Sequence, residues 1–225
     1  MTAMKLKALL FAVVTAVCVH RLASVAGAAL AAPANSQLGA QIVATGTQKG
    51  SVACARCHGF DGASDGSGAF PVLAGQSADY LAAQLRRFAS GQRQNALMES
   101  IAKGLTDDEL LSVTQYYSAA RPVSSVTRQA TSNQVTVGQR IALVGNLNTR
   151  VQACVSCHGP YGTGEPPTIP YLSGQYRHYI EVQLQMFRRG YRKSSQMLGV
   201  GHNLTADEAA AVAAYFDQLP LPSTQ

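Results

Sequence analysis

Two short motifs in the sequence combine thiols with an imidazole, and these side chains bind transition metals or take part in redox chemistry. The first motif is CARCHG at residues 54–59, and the second is CVSCHG at residues 154–159. In each motif two residues separate the cysteines, and a histidine directly follows the second cysteine: His58 and His158. Any chemistry assigned to the chain must therefore use the same group of side chains twice.

Disulfides and zinc are two of the uses that such cysteine pairs have. In an exported protein each pair could form a disulfide. A thioredoxin-like dithiol is a related alternative, but it requires a βαβ setting, and the sequence has no run of alternating strands. A zinc site built from all four thiolates would leave 96 residues between the two pairs, whereas the usual interval is about 15–20 residues. It would also leave both histidines without a role.

Covalent haem attachment uses all three side chains of each motif. The two cysteines form thioether bonds with the porphyrin vinyl groups, and the histidine that follows becomes an axial iron ligand. Two such motifs predict two covalently bound haem c groups. The attachment points are four cysteines: Cys54, Cys57, Cys154 and Cys157.

The second axial ligand of each iron has to come from elsewhere in the chain. Met98 lies 40 residues after His58, Met197 lies 39 residues after His158, and the two methionines are themselves 99 residues apart. Core packing is the other role open to them. His178 and His202 could compete, but their counterparts at the same offset are aspartate and lysine. Met186 has an arginine as its counterpart and is expected to be a core or surface residue of the middle helix. We predict His58/Met98 and His158/Met197 ligation, which fills both axial positions and favours electron transfer.

The two motifs lie in two copies of a unit of about 90 residues. FPVLAGQSADYLAAQLRRFASG, which starts at Phe70, aligns without a gap with IPYLSGQYRHYIEVQLQMFRRG, which starts at Ile169. A polar segment at residues 121–137 joins the copies. We place the first domain at residues 33–125 and the second at residues 126–225.

Each unit is predicted to be helical. Residues 77–90 carry apolar side chains at helical spacing. Two T-x-x-E sequences, at residues 106–109 and 205–208, are capping boxes that begin the last helix of each unit. A short helix is expected before each cysteine pair, near residues 37–45 and 138–144. The two candidate methionine ligands are expected in loops between the middle and last helices.

The first 32 residues have the layout of a secretory signal. Lys5 and Lys7 precede an apolar run at residues 8–19, and small residues follow. Cleavage is expected near Ala32, and retention as a membrane anchor is the alternative. Export predicts a periplasmic location.

The positive charge of the chain comes partly from this leader. The full chain has a net charge of +6, and removal of three basic residues with the leader lowers it to +3. The sequence has no long basic run, so the charge does not indicate nucleic-acid binding. A cluster in the second unit is a candidate docking patch for a partner protein: Arg188, Arg189, Arg192 and Lys193.

Two C-x-x-C-H units, each with an LxGQ segment, a downstream methionine and an LTxxE helix, resemble the di-haem class I cytochromes c of the c-four group. The resemblance covers nearly all of residues 35–220. It implies an all-α fold of two tandem class I cytochrome c domains, packed face to face with the haem propionates near the interface. It also implies that the carbonyls of Pro71 and Pro170 orient the axial histidines. The second loop is one residue shorter and richer in proline, which leaves the surroundings of the second haem open.

The resemblance implies a periplasmic electron carrier, not an enzyme, that associates loosely with the membrane. Its partners would be redox proteins: a dehydrogenase or quinol-oxidising complex as donor, and a terminal oxidase as acceptor. Two alternatives stay open. One is a cytochrome subunit of a flavocytochrome-type dehydrogenase, and the other is an enzyme of the di-haem peroxidase or thiosulfate-oxidising kind.

Overall fold

The computed structural model describes residues 35–121 and 130–222 of the chain. The predicted leader at residues 1–32 and the predicted domain boundary at residue 125 lie outside these ranges. No helix in the two described ranges is long and apolar enough to cross a membrane.

The first half of the described chain contains five α-helices: α1 (Ser36–Thr45), α2 (Ala55–His58), α3 (Ala78–Ala89), α4 (Ala96–Lys103) and α5 (Asp107–Ala119). The second half repeats this order: α6 (Ser132–Val144), α7 (Val155–His158), α8 (Arg177–Arg188), α9 (Ser195–Asn203) and α10 (Ala206–Gln218). A short 3-10 helix, Pro160–Gly162, follows α7. The described residues form isolated β-bridges but no strand, so the all-α prediction is confirmed.

Both predicted capping boxes are present. The Thr106 hydroxyl accepts a hydrogen bond from the Glu109 N–H, and the Glu109 carboxylate accepts one from the Thr106 N–H. Thr205 and Glu208 make the same pair at the start of α10. Each box satisfies backbone donors that have no partner within the helix.

Two predictions about local structure, by contrast, were wrong. Helix α6 begins at Ser132, six residues before the predicted start, because the Thr131 hydroxyl caps it. The methionines lie in the first turns of α4 and α9, not in loops. The N–H of Met98 donates to the Asn95 side chain at 2.9 Å, and Ser194 caps α9 in the same way. Asparagine and serine are preferred N-cap residues, so a helix begins directly after Asn95 and another directly after Ser194.

A glycine lies at the main helix crossing of each half. In the first half α1 packs on α5, and Gly39 faces the Ser112 carbonyl so closely that a Cβ atom would overlap with it. In the second half α6 packs on α10, and Gly138 faces the Ala211 carbonyl in the same way. The absence of a side chain therefore lets the helices approach closely enough to enclose a separate apolar core in each half.

The two halves pack against each other within one compact unit. A third apolar cluster contains buried residues from both halves, namely Val72 and Ala74 from the first and Tyr176 from the second. The Tyr176 hydroxyl also donates a hydrogen bond to the Ala63 carbonyl at 2.7 Å. The face that carries the LxGQ segments therefore forms the interdomain boundary.

Candidate haem sites

The cysteines and histidine of each C-x-x-C-H motif lie on a single helical turn. Cys54 is the N-cap of α2, and its carbonyl accepts a hydrogen bond from the His58 N–H at 3.0 Å. Cys154 and His158 are related in the same way in α7, at 2.9 Å. Both histidines are 9% exposed. Each turn therefore places two thiols beside one buried imidazole.

The carbonyls of two prolines orient these imidazoles, as the resemblance implied. The Nδ1 atom of His158 lies 2.9 Å from the Pro170 oxygen, and that of His58 lies 3.4 Å from the Pro71 oxygen. Burial lowers the pKa of both histidines, against the opposing effect of these carbonyls. Because a neutral imidazole with Nδ1 protonated keeps its Nε2 lone pair free, both side chains are prepared for metal binding.

The thiols do not have the properties that the alternatives require. All four motif cysteines are free. Burial raises the pKa of Cys54 and of Cys154 to about 11, whereas a reactive dithiol needs a lowered pKa. Nowhere in the described residues do three or more histidine, cysteine or acidic side chains form a group that could hold a metal ion. The reactive-dithiol and zinc alternatives therefore have no support in this geometry.

The candidate methionine ligands occupy equivalent, half-buried positions in the two halves. Met98 and Met197 are each the third residue of a short helix, and each donates its N–H to the residue that caps that helix. The competing histidines, His178 and His202, are exposed. Their exposure contrasts with the burial of His58 and His158.

Two buried arginines meet at the interdomain boundary. Arg93 and Arg192 are 6% and 7% exposed and form an isolated antiparallel β-bridge with each other. Each guanidinium lies 4.5 Å from the centroid of a phenylalanine ring of its own half. Arg192 was predicted to belong to a surface docking patch, and its burial shows that this was wrong. Its three companions are exposed: Arg188, Arg189 and Lys193.

The arginine partners are neutral side chains drawn from both halves. Arg93 donates to the Tyr179 hydroxyl at 2.6 Å, and Arg192 donates to the Tyr80 hydroxyl at 2.6 Å. Both guanidiniums also bond to two shared amide oxygens, those of Gln84 and Gln183. Burial acts to raise the pKa of Tyr179, but the two guanidiniums outweigh it and lower this pKa.

This cluster fits the carboxylates of haem. The ion pairs among the described residues include neither arginine, and the buried Nε of Arg192 has no hydrogen-bond partner. Two buried cations without a counter-ion are unfavourable unless anions approach them. A c-type haem carries two propionate carboxylates, and Arg192 lies near enough to His158 to lower its pKa. Arg192 therefore lies near the second candidate site, where such a carboxylate would be needed, and Arg93 pairs with it.

Sequence reasoning missed Arg93 entirely. A signal was available, because Gly-x-Arg occurs at residues 91–93 and again at residues 190–192. The repetition indicated a shared role, but only the packing of the two halves shows that the arginines meet.

Comparisons with known proteins agree with the geometry. A family model described as cytochrome c matches residues 36–118 and 148–220. A thiosulfate dehydrogenase electron acceptor from Stutzerimonas stutzeri is 37% identical over 201 residues, which are 87% of this chain and 92% of the relative. Cytochrome c4 of Pseudomonas aeruginosa is 31% identical over 181 residues, 78% of this chain and 88% of the relative.

A solved structure of the thiosulfate dehydrogenase TsdBA from Marichromatium purpuratum has a TM-score of 0.76 and is 37% identical. The match covers 83% of this chain and 41% of that longer chain. The fold and the cytochrome c4 relative confirm the resemblance found in the sequence and imply one covalently bound haem c in each domain. The chain belongs to the cytochrome c family and is a two-domain, di-haem electron-transfer protein of the cytochrome c4 kind.

Proposed function

We propose that His58 and Met98 are the axial ligands of the first haem iron, and that His158 and Met197 are those of the second. Four thioether bonds would attach the haems, through Cys54, Cys57, Cys154 and Cys157. The burial of both histidines and their bonds to proline carbonyls support this assignment. The equivalent positions of the two methionines support it as well.

The arginine pair would hold haem propionates at the interdomain boundary. The haems would supply one-electron redox chemistry, and the buried histidines and arginines of the chain would hold them in place. With both axial positions filled, neither iron has an open position for a substrate. The protein then acts as a carrier and not as an enzyme. The secretory layout of residues 1–32 supports export to the periplasm.

The donor that we propose is a periplasmic thiosulfate dehydrogenase, with a terminal oxidase as a later acceptor. The observation that carries this proposal is the similarity to a protein named as the electron acceptor of thiosulfate dehydrogenase, over 92% of that relative. The match to 41% of the TsdBA chain adds support, because it pairs a module of this kind with a thiosulfate dehydrogenase. A cytochrome subunit of a dehydrogenase was one of the alternatives that the sequence left open.

The test mixes the oxidised holoprotein with thiosulfate, with and without catalytic amounts of the thiosulfate dehydrogenase of Stutzerimonas stutzeri. We expect no reduction by thiosulfate alone and rapid reduction of both haems when the dehydrogenase is present, followed by visible absorption. A single-domain cytochrome c of similar potential serves as the control acceptor and should be reduced more slowly. Reduction by thiosulfate alone, with continued turnover, would establish an enzyme. Absence of reduction with the dehydrogenase would exclude this donor.

A further inference from the structure

The glutamines of the two LxGQ segments are among the buried polar side chains of the protein, yet the haem sites described so far do not use them. Gln76 is 5% exposed and Gln175 is 4% exposed. Each crosses the interdomain boundary and bonds to the backbone of the other domain. The backbone positions that they contact directly follow the two prolines that orient the axial histidines.

Gln175 of the second domain contacts the peptide group that orients His58. Its Oε1 atom accepts a hydrogen bond from the Val72 N–H at 2.9 Å, and its Nε2 atom donates one to the Val72 carbonyl at 3.0 Å. The Val72 N–H belongs to the same peptide group as the Pro71 carbonyl, which lies 3.4 Å from the His58 Nδ1 atom. One peptide group therefore connects the glutamine to the histidine.

Gln76 of the first domain makes the equivalent contact with the second. Its Oε1 atom accepts from the Tyr171 N–H at 3.3 Å, and its Nε2 atom donates to the Tyr171 carbonyl at 3.4 Å. The Tyr171 N–H shares a peptide group with the Pro170 carbonyl, which lies 2.9 Å from the His158 Nδ1 atom. The two connections are thus crossed, since each domain supplies the glutamine that serves the other.

The hydrogen-bond network determines the orientation of both amides. The Gln175 Oε1 atom also accepts from the Tyr176 N–H at 3.1 Å, and the Gln76 Oε1 atom accepts from the Ser77 N–H at 3.2 Å. A flipped amide would place its NH2 group against two N–H donors, which is unfavourable. The acceptor oxygen of each glutamine therefore faces the proline–histidine peptide of the opposite domain.

We propose that Gln76 and Gln175 are positioning residues that tune the redox potential of the haem in the opposite domain. An acceptor on the N–H of a peptide group polarises its carbonyl, because hydrogen bonds in series strengthen one another. A more polarised proline carbonyl draws the Nδ1 proton of the histidine and makes the imidazole a stronger iron ligand. Stronger donation favours ferric iron, so each glutamine lowers the potential of the opposite haem. This inference rests on the proposed ligation by His58 and His158.

The test measures the potential of each haem separately in the di-haem protein by NMR redox titration. The ring Nδ1–H signals of 15N-labelled histidine are followed, and His58 is assigned by its contacts with the rings of Phe70 and Tyr117. We expect Gln175→Leu to raise the potential of the first haem and to leave the second unchanged. Gln76→Leu should raise the potential of the second haem and leave that of the first unchanged. Gln175→Glu keeps an acceptor oxygen and should leave the first potential at or below that of the wild type.

Tyr176→Phe is the matched control, because it removes an interdomain hydrogen bond to the Ala63 carbonyl and keeps the backbone N–H that bonds to Gln175. The inference would be overturned if the potential shifted in the haem of the mutated domain itself. It would also be overturned if the potentials of both haems shifted equally, as a defect of the interface would produce. If the leucine variant does not fold, Gln175→Asn is used instead, because it withdraws the acceptor oxygen by one methylene. It must also raise the potential of the first haem and leave that of the second unchanged. Redox-dependent shifts of both Nδ1–H signals in the wild type test the proposed ligation independently of either glutamine.

Discussion

Arg93 and Arg192 lie 99 residues apart in the sequence and pair as a β-bridge at the boundary of the two domains. Their guanidiniums share the amide oxygens of Gln84 and Gln183, and each bonds to a tyrosine hydroxyl of the other domain. Two positive charges are thus held in one buried, otherwise neutral network. We propose that these two charges bind haem propionates, which would give the interdomain boundary a part in haem binding.

Replacing Arg192 by glutamine should lower the potential of the second haem. A buried positive charge favours the ferrous state, and Arg192 already acts electrostatically on His158, whose pKa it helps to lower. We expect a fall of about 60 mV, which is a tenfold change in the one-electron equilibrium constant. The measurement is an anaerobic redox titration of the purified holoprotein.

Arg87→Gln is the matched control for this prediction. Arg87 also donates a hydrogen bond across the boundary, to the Lys193 carbonyl at 3.1 Å, but it lies outside the buried network. Its replacement should leave both potentials unchanged. Equal potentials in the Arg192 variant and the wild type would contradict the proposed contact with a propionate.

Replacing one proposed methionine ligand should leave one axial position of one iron without its protein ligand. Met98→Ala and Met197→Ala each delete one thioether, and a soft thioether ligand raises the haem potential. We expect the potential of the affected haem to fall by at least about 0.1 V, within the roughly 0.8 V that axial ligands span. Each reduced variant should then bind carbon monoxide at one of its two haems.

Met186→Ala provides the comparison, since Met186 lies within α8 and has an arginine at the matching position of the first domain. It should bind no carbon monoxide and keep both potentials. Unchanged spectra and potentials in Met98→Ala or Met197→Ala would refute the ligand assignment for that domain.

Short sequence motifs were sufficient to predict the helical turns that carry the haem-binding residues and the capping boxes. They were not sufficient to predict the side-chain contacts between the two halves. The capping boxes and the C-x-x-C-H turns depend on residues within one helical turn, so spacing alone revealed them. Arg192 was predicted to be a surface residue because three other basic residues surround it in the sequence. Its burial depends on Tyr80 and Gln84, which lie more than one hundred positions away. Spacing within a segment carries no information about such partners.

Acidification should weaken the start of α10 through Glu208. Partial burial acts to raise the pKa of this carboxyl, but hydrogen bonds from Thr205 and from the Asn146 side chain outweigh it and lower the pKa. A group whose pKa is lowered on folding stabilises the protein above its unfolded pKa, and this contribution is lost as the pH falls through the folded pKa. Thermal unfolding of the holoprotein should therefore show a small decrease in stability on the acidic side. Asn146→Ala should reduce this decrease, and an unaltered pH profile in that variant would contradict the role of Asn146.

The glycines at the two helix crossings should not tolerate even a methyl group. A Cβ atom at Gly39 would overlap with the Ser112 carbonyl, and one at Gly138 would overlap with the Ala211 carbonyl. Because the obstructing atoms belong to helix backbones, α1 or α6 would have to move away from its partner helix. We expect Gly39→Ala and Gly138→Ala each to lower the free energy of unfolding by about 1–3 kcal/mol, measured by denaturant titration of the holoprotein.

Gly199→Ala separates this steric effect from the general effect of alanine in a helix. Gly199 lies in α9, and no atom of another element lies within 4 Å of the position that a methyl group would take there. Alanine at this position should be neutral or should stabilise the protein by up to about 1 kcal/mol, since glycine is a poor helix former. If all three variants changed stability by the same amount and in the same direction, close helix approach would not explain the glycines at the crossings.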